Sequence, residues 1–124
     1  MSIIYLASPY SSGGIMGSTP EEKLAAMEER YVETRRVLHL LMKRKLPVYS
    51  PIVHCHELAK AHEMPRDAEF WIDYNHNFLH ASKAILVLQL RGWNESTGVQ
   101  DEMRYAKRHY LPLWLYDPHG ADHD

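Results

Sequence analysis

The stretch Asn94 to Ala106, NESTGVQDEMRYA, puts two hydroxyls, a glycine and two carboxylates into the seven residues from Ser96 to Glu102. By local rules it starts a helix. Ser96 or Thr97 is a suitable N-cap, Thr97 and Gln100 have capping-box spacing, and Asp101 and Glu102 complement the positive end of the helix dipole. The same residues can also do chemistry. A helix N-terminus that opens on a crevice is an anion site, so Ser96 and the amides near Gly98 are placed to hold a phosphate. Glu102 follows in the next turns. Kept ionised by the helix-end amides, its carboxylate is positioned to attack a sugar carbon and form a covalent glycosyl intermediate, as in retaining glycosidases.

A second group of chemistry-bearing residues is histidine: nine in the chain, with His54, His56, His62, His76 and His80 close in sequence. His76 and His80 have the i, i+4 spacing that zinc can use on one helix face. No glutamate stands between them in a metalloprotease pattern, and Cys55 points away from its neighbours if its segment is extended, so no resident metal is expected. The glycines of SSGGIMG form neither a phosphate-binding loop of GxxxxGK[ST] type nor a GxGxxG fingerprint; they suit a mobile lid.

The elements that must position these residues read as alternating strands and helices. IIYLA (Ile3 to Ala7) is a short buried strand, and SPYSSGGIMGSTP after it is a flexible loop. Thr19, Pro20 and Glu22 start a helix, with Leu24, Met27, Tyr31, Leu38 and Leu41 as its inward face up to about Arg44. Leu46 to Ile52 reads as a second strand, followed by an irregular histidine-bearing segment up to Met64. Pro65 can open the next helix, whose aromatic face comprises Phe70, Trp71, Tyr74, Phe78 and Leu79. KAILVLQL is a strand buried on both faces. A helix from about Thr97 to His109 and a last strand LPLWLY complete the chain, with Trp71 and Trp114 expected in the core and a frayed tail from about residue 117. This alternation predicts an α/β domain, a three-layer Rossmann or flavodoxin-like fold with a small parallel sheet of four to five strands. In such sheets ligands bind beyond the carboxyl ends of the strands, where SPYSSGG, SPIVHCH and RGWNESTG converge.

Composition narrows the class of ligand. The 124 residues, 45% hydrophobic, suffice for one domain over 1–124. Fourteen basic and sixteen acidic residues give a charge of -2, which excludes the broad cationic footprint of a duplex binder and favours a small molecule over polymeric nucleic acid. Cys55 is the single cysteine, and no apolar run approaches the ~20 residues of a membrane span, so a soluble cytoplasmic protein without membrane contact is expected.

IYLASPYS, VYSPIVHCH and FLHASKAILVLQLRGWNESTGVQDEMRYA resemble, in that order, the nucleoside 2-deoxyribosyltransferase-like superfamily. The closer likeness is to its small DUF1937-type and nucleotide N-glycosidase-like members. Gly92, Trp93, Ser96, Gly98, Val99 and Glu102 carry the specific part. The resemblance implies that Glu102 is the nucleophile at C1′ and that Tyr5 orients it. It implies that Ser8 and Tyr10 contact the substrate and that His54 or His56 lines the crevice. Deoxyribosyltransferases proper carry aspartate at the position of Ser96, whereas the superfamily's nucleotide N-glycosidases carry serine and bind a 5′-phosphate with it. One departure stands out. The family aspartate that assists the leaving base is here Asn75, with Asp73 two residues earlier on the opposite helix face. Trp93, in the loop before Ser96, is open to stack on a base.

The expected activity is cleavage or transfer at the N-glycosidic bond of a (deoxy)nucleoside 5′-monophosphate, without a cofactor, by a homodimer or larger homo-oligomer. Its rivals are a non-catalytic nucleotide-binding protein and a metal-dependent hydrolase built on the histidines.

Overall fold

The computed structural model describes residues 3–119. β1 (Ile3–Ala7) leads through a long loop into α1 (Pro20–Lys43), then β2 (Val48–Tyr49), α2 (Pro51–Ala61), α3 (Ala68–His80) and β3 (Ser82–Leu88). A 3₁₀ turn at Trp93–Glu95 precedes α4 (Thr97–Arg108), and β4 (Leu113–Tyr116) closes the sheet. All strand pairs are parallel, in the order β2-β1-β3-β4. The α/β architecture follows the sequence reading, and four strands lie within the expected range.

Alternation along the strands divides the core in two. Tyr5, Ala7, Ile85 and Val87 face one side, where they pack with Leu79 of α3 and Val99, Tyr105 and Ala106 of α4. Leu6 and Leu88 face the other, against Val37, Leu38 and Leu41 of α1, with Val53 of α2 joining them. Buried apolar side chains on both sheet faces are the physical signature of a central parallel sheet between helical layers. Chain direction reverses between β1, which leads to β2, and β3, which leads to β4. The crevice therefore opens at the carboxyl ends of β1 and β3.

The start of α1 is as read: the Thr19 hydroxyl accepts the Glu22 amide at 3.1 Å, and the Glu22 carboxylate accepts the Thr19 amide at 3.2 Å. Leu24 is exposed, so the inward stripe begins at Met27.

Several expectations are corrected. The second strand is only Val48–Tyr49, and the segment expected to be irregular is helix α2, capped by the Ser50 hydroxyl on the Val53 amide at 3.1 Å with Pro51 in its first turn. α3 starts at Ala68, not at Pro65, because Asp67 accepts the Phe70 amide at 3.1 Å. Its aromatic face is largely uncovered: Phe70 and Tyr74 are exposed and only Leu79 is fully buried, since only the end of the helix lies over the sheet. Trp114 is 52% exposed, because β4 is an edge strand with no helix over that part of it. Asp117 accepts the His119 amide in a turn after β4, whereas the tail beyond residue 119 lies outside the described residues. Among the described residues no helix is long and apolar enough to cross a membrane.

Candidate functional site

Three loops meet at the switch point, and two glycines set their spacing. Gly13, in the loop after β1, and Gly92, after β3, both have positive φ (93° and 84°), and a Cβ on either would overlap the other's backbone. This close approach brings the Ser12 hydroxyl to the first amide of α4, which it accepts from Thr97 at 2.9 Å. The loop is also held from α1. The Arg30 guanidinium donates to the carbonyls of Tyr10 (3.1 Å), Ser12 (2.7 Å), Gly13 and Arg91 (3.1 Å). One half-buried cation thus ties the loops after β1 and β3 together, so the expected mobile lid is instead a strapped loop.

At the head of α4, Ser96 rather than Thr97 is the N-cap, its hydroxyl accepting the Val99 amide at 3.3 Å. The Thr97–Gln100 capping box does not form, because the Gln100 side chain reaches back to the Asn94 carbonyl. The Gly98 amide has no hydrogen-bond partner among the described residues and lines the cleft together with Ser96. A free N–H at a helix N-terminus is the group an anion would take.

Glu102 lies in the next turn, buried in the cleft lining, and the Tyr5 hydroxyl donates to its Oε2. Burial pushes its carboxyl up to about 8; the Tyr5 hydrogen bond pulls it down, and Asp101 next to it adds a smaller upward push. The expectation of a carboxylate kept ionised by helix-end amides is therefore reversed. Ser12 and Ser96 already take the Thr97 and Val99 amides, Glu102 sits beyond them, and desolvation dominates. Tyr5 is pushed well above the usual tyrosine range, first by its own burial and then by Glu102. It stays a neutral donor.

The other candidates divide. Ser8, Tyr10, His56, Ser96 and Gly98 line the cleft with Glu102. Asn75 lines it too, and its buried Oδ1 has no hydrogen-bond partner. Asp73 is exposed and outside the lining, as a rotation of about 200° on the helix requires, so it does not substitute for Asn75. His54 is likewise outside, exposed and 3.3 Å from the Tyr74 hydroxyl, because on α2 it faces away from His56. Trp93 packs on the α3/α4 side of the core instead of facing the cleft. Trp71, expected in the core, lines the cleft wall and ties its indole N–H to the Pro65 carbonyl at 2.8 Å.

The histidines are not gathered. His76 bonds Asp101 at 2.7 Å across α3 and α4, and His56 lies between Tyr10 and Glu28. Glu28, His56 and Glu57 form the one grouping among the described residues whose donor atoms approach closely enough to share a cation, with Glu28 already bonded to His56 Nε2.

Four contributors escaped the sequence reading. Arg30 falls between Met27 and Thr34 on the inward stripe of α1, so helical spacing could have found it. Ser12, Arg66 and Ile72 enter the lining only through tertiary placement. A family profile described as "Domain of unknown function (DUF1937)" matches residues 2–118. No match is found among curated proteins.

Proposed function

The chain belongs to the DUF1937 family, whose description assigns no activity, and from its cleft we propose cleavage or transfer at the N-glycosidic bond of a (deoxy)nucleoside 5′-monophosphate. The observation that carries this reading is Glu102: a buried carboxyl in the cleft lining, held by a tyrosine and one turn beyond an open helix N-terminus. The Gly98 amide and the Ser96 hydroxyl proton take the phosphate. Trp71, Ile72 and Asn75 flank the base, and the unpartnered Asn75 Oδ1 accepts an N–H from it.

In the first step Glu102, as carboxylate, forms a bond to C1′ while the C1′–N bond breaks and its electron pair leaves with the base, which gains a proton. In the second, water or another base attacks C1′ and frees Glu102. No cofactor enters either step. A homodimer or larger assembly belongs to this reading, supported by the exposed edge strand carrying Trp114 and Leu115. Light scattering checks it.

A non-catalytic nucleotide-binding role is the second reading. The amide at Asn75, where a carboxylic acid would assist the base, and the proton held on Glu102 near neutrality favour it. The Glu28, His56 and Glu57 grouping keeps a metal-dependent hydrolase as a third. One assay separates them: incubation with a panel of ribo- and deoxynucleoside monophosphates, with and without chelator, and chromatography for free base. Release that survives chelator and vanishes in Glu102→Ala is expected. Unchanged release in that variant removes the nucleophile assignment, binding without release favours the second reading, and loss on chelation the third.

A further inference from the structure

The glycosidic reading leaves the leaving base without a free acid: Asn75 cannot supply a proton, Asp73 is outside the cleft, and the lining aspartates are engaged, Asp67 as the cap of α3 and Asp101 with His76. A chain of hydrogen bonds on the opposite wall ends at the same cleft. The Tyr10 hydroxyl lies 2.6 Å from His56 Nδ1, and His56 Nε2 lies 2.9 Å from Glu28 Oε1. His56 is buried, stacked on Tyr31 at 4.1 Å between ring centres, and meets Tyr10 edge-on. Glu28 is partly exposed on α1, where Lys60 stands 3.6 Å from the same oxygen.

The proton positions follow from the partners. A carboxylate only accepts hydrogen bonds, so at 2.9 Å from Glu28 Oε1 the His56 Nε2 must donate. In a neutral imidazole Nδ1 is then the acceptor, and Tyr10 donates to it. A buried imidazole fixed at one nitrogen by a carboxylate and bonded at the other to a hydroxyl facing a cleft is an arrangement that moves protons.

We propose that Tyr10, His56 and Glu28 form the acid/base relay of this site, Tyr10 being the catalytic residue that touches the base and His56 and Glu28 positioning and recharging it. The proposal rests on the glycosidic reading. In base departure the Tyr10 proton passes to the base nitrogen as the C1′–N electron pair arrives there, and the Nδ1 proton of imidazolium His56 replaces it on Tyr10. His56 is left neutral, with Nε2 still donating to Glu28 and Nδ1 open to accept from Tyr10. In the second step water gives a proton to the Tyr10 oxygen while Tyr10 returns its own to Nδ1. The water oxygen bonds C1′, the C1′–Glu102 bond breaks, and carboxylate and imidazolium are both restored. Burial raises the Tyr10 hydroxyl above its ordinary range and keeps it a protonated donor, while Arg66 opposes that push and favours the negative charge that builds on the oxygen during each transfer.

The experiment compares two substrates that differ only in an electron-withdrawing halogen on the base that the wild type releases. Tyr10→Phe keeps the ring and removes the relay, so kcat for the parent base is expected to fall about 10²-fold or more, with less than about fivefold loss for the halogenated base, which departs without help. Glu28→Gln, at the surface, should show the same imbalance at about a tenth of the size. Equal losses for both bases, or none, would overturn the relay while leaving the glycosidic reading intact. That reading fails separately, and the relay with it, if the wild type releases no base or Glu102→Ala releases it unchanged. Nitrogen-15 NMR gives a readout without turnover. The relay requires neutral His56 as the Nε2–H tautomer, with its Nδ1 resonance moving in Tyr10→Phe; an Nδ1–H tautomer overturns it.

Discussion

Replacing Glu102 by glutamine should remove activity and stabilise the protein at alkaline pH. Burial in the fold pushes the carboxyl up to about 8, against 4.5 in an exposed chain. Between these values the folded protein binds a proton that the unfolded chain has released, so stability is fullest below about 4.5 and declines as pH rises through 8. The difference, 8 − 4.5, is about 3.5, and at about 1.4 kcal/mol each the decline reaches at most roughly 5 kcal/mol. Glutamine keeps an acceptor for the Tyr5 hydroxyl and never ionises. Urea denaturation of both proteins at pH 5 and pH 9 should therefore give similar midpoints at the lower pH and a gain of roughly 2–5 kcal/mol for Glu102→Gln at the higher. The same titration governs catalysis. At pH 7 only about a tenth of the carboxyl is ionised, so in Tyr10→Phe, which has no relay proton to lose, kcat/KM for the halogenated base should rise about tenfold toward pH 9. Stability curves for the two proteins that run parallel from pH 5 to 9 would refute a desolvated carboxyl at this position, and with it the predicted rate profile.

Tyr5→Phe removes the hydrogen bond that pulls the Glu102 carboxyl down, so the rising limb of the pH–rate profile should move to higher pH and kcat at pH 7 should fall roughly tenfold, read by base release across pH 6–10. Gly13→Ala should cost about 1–3 kcal/mol by thermal unfolding, because the position combines positive φ with backbone overlap at Gly92. Gly98→Ala, whose added methyl meets nothing nearer than Ala68 Cβ at 3.6 Å, should fold normally and instead raise KM for the phosphorylated substrate severalfold, by crowding the open amide. Asn75→Asp supplies a carboxyl beside the base and should accelerate base release about tenfold or more, measured in single turnover; an unchanged rate would show that base departure does not limit the reaction.

Features carried by a few adjacent residues were legible in the sequence. The Thr19–Glu22 box, a hydroxyl cap at Ser96 or Thr97 and the alternation of strands and helices all depend on short-range geometry, so residue type and spacing suffice. α2 was hidden because Ser50–Pro51 reads equally as the end of a strand and the start of a helix. Only packing of Pro51, His56 and Ala59 settles it. That helix in turn decides that His56, not His54, enters the cleft, since two residues on a helix point to opposite sides. The same holds for Asn75 against Asp73, and for Trp93 and Trp114, whose surroundings depend on which elements lie over them.

The sequence by itself determined which side chains with chemistry exist and roughly which elements carry them. Tertiary structure decided their state. Burial pushes the Glu102 carboxyl up to about 8, Tyr10 meets His56 across 46 residues of chain, and Arg30 reaches the Arg91 carbonyl 61 residues away. Desolvation and long-range hydrogen bonds are set by elements distant in sequence, so no local pattern encodes them.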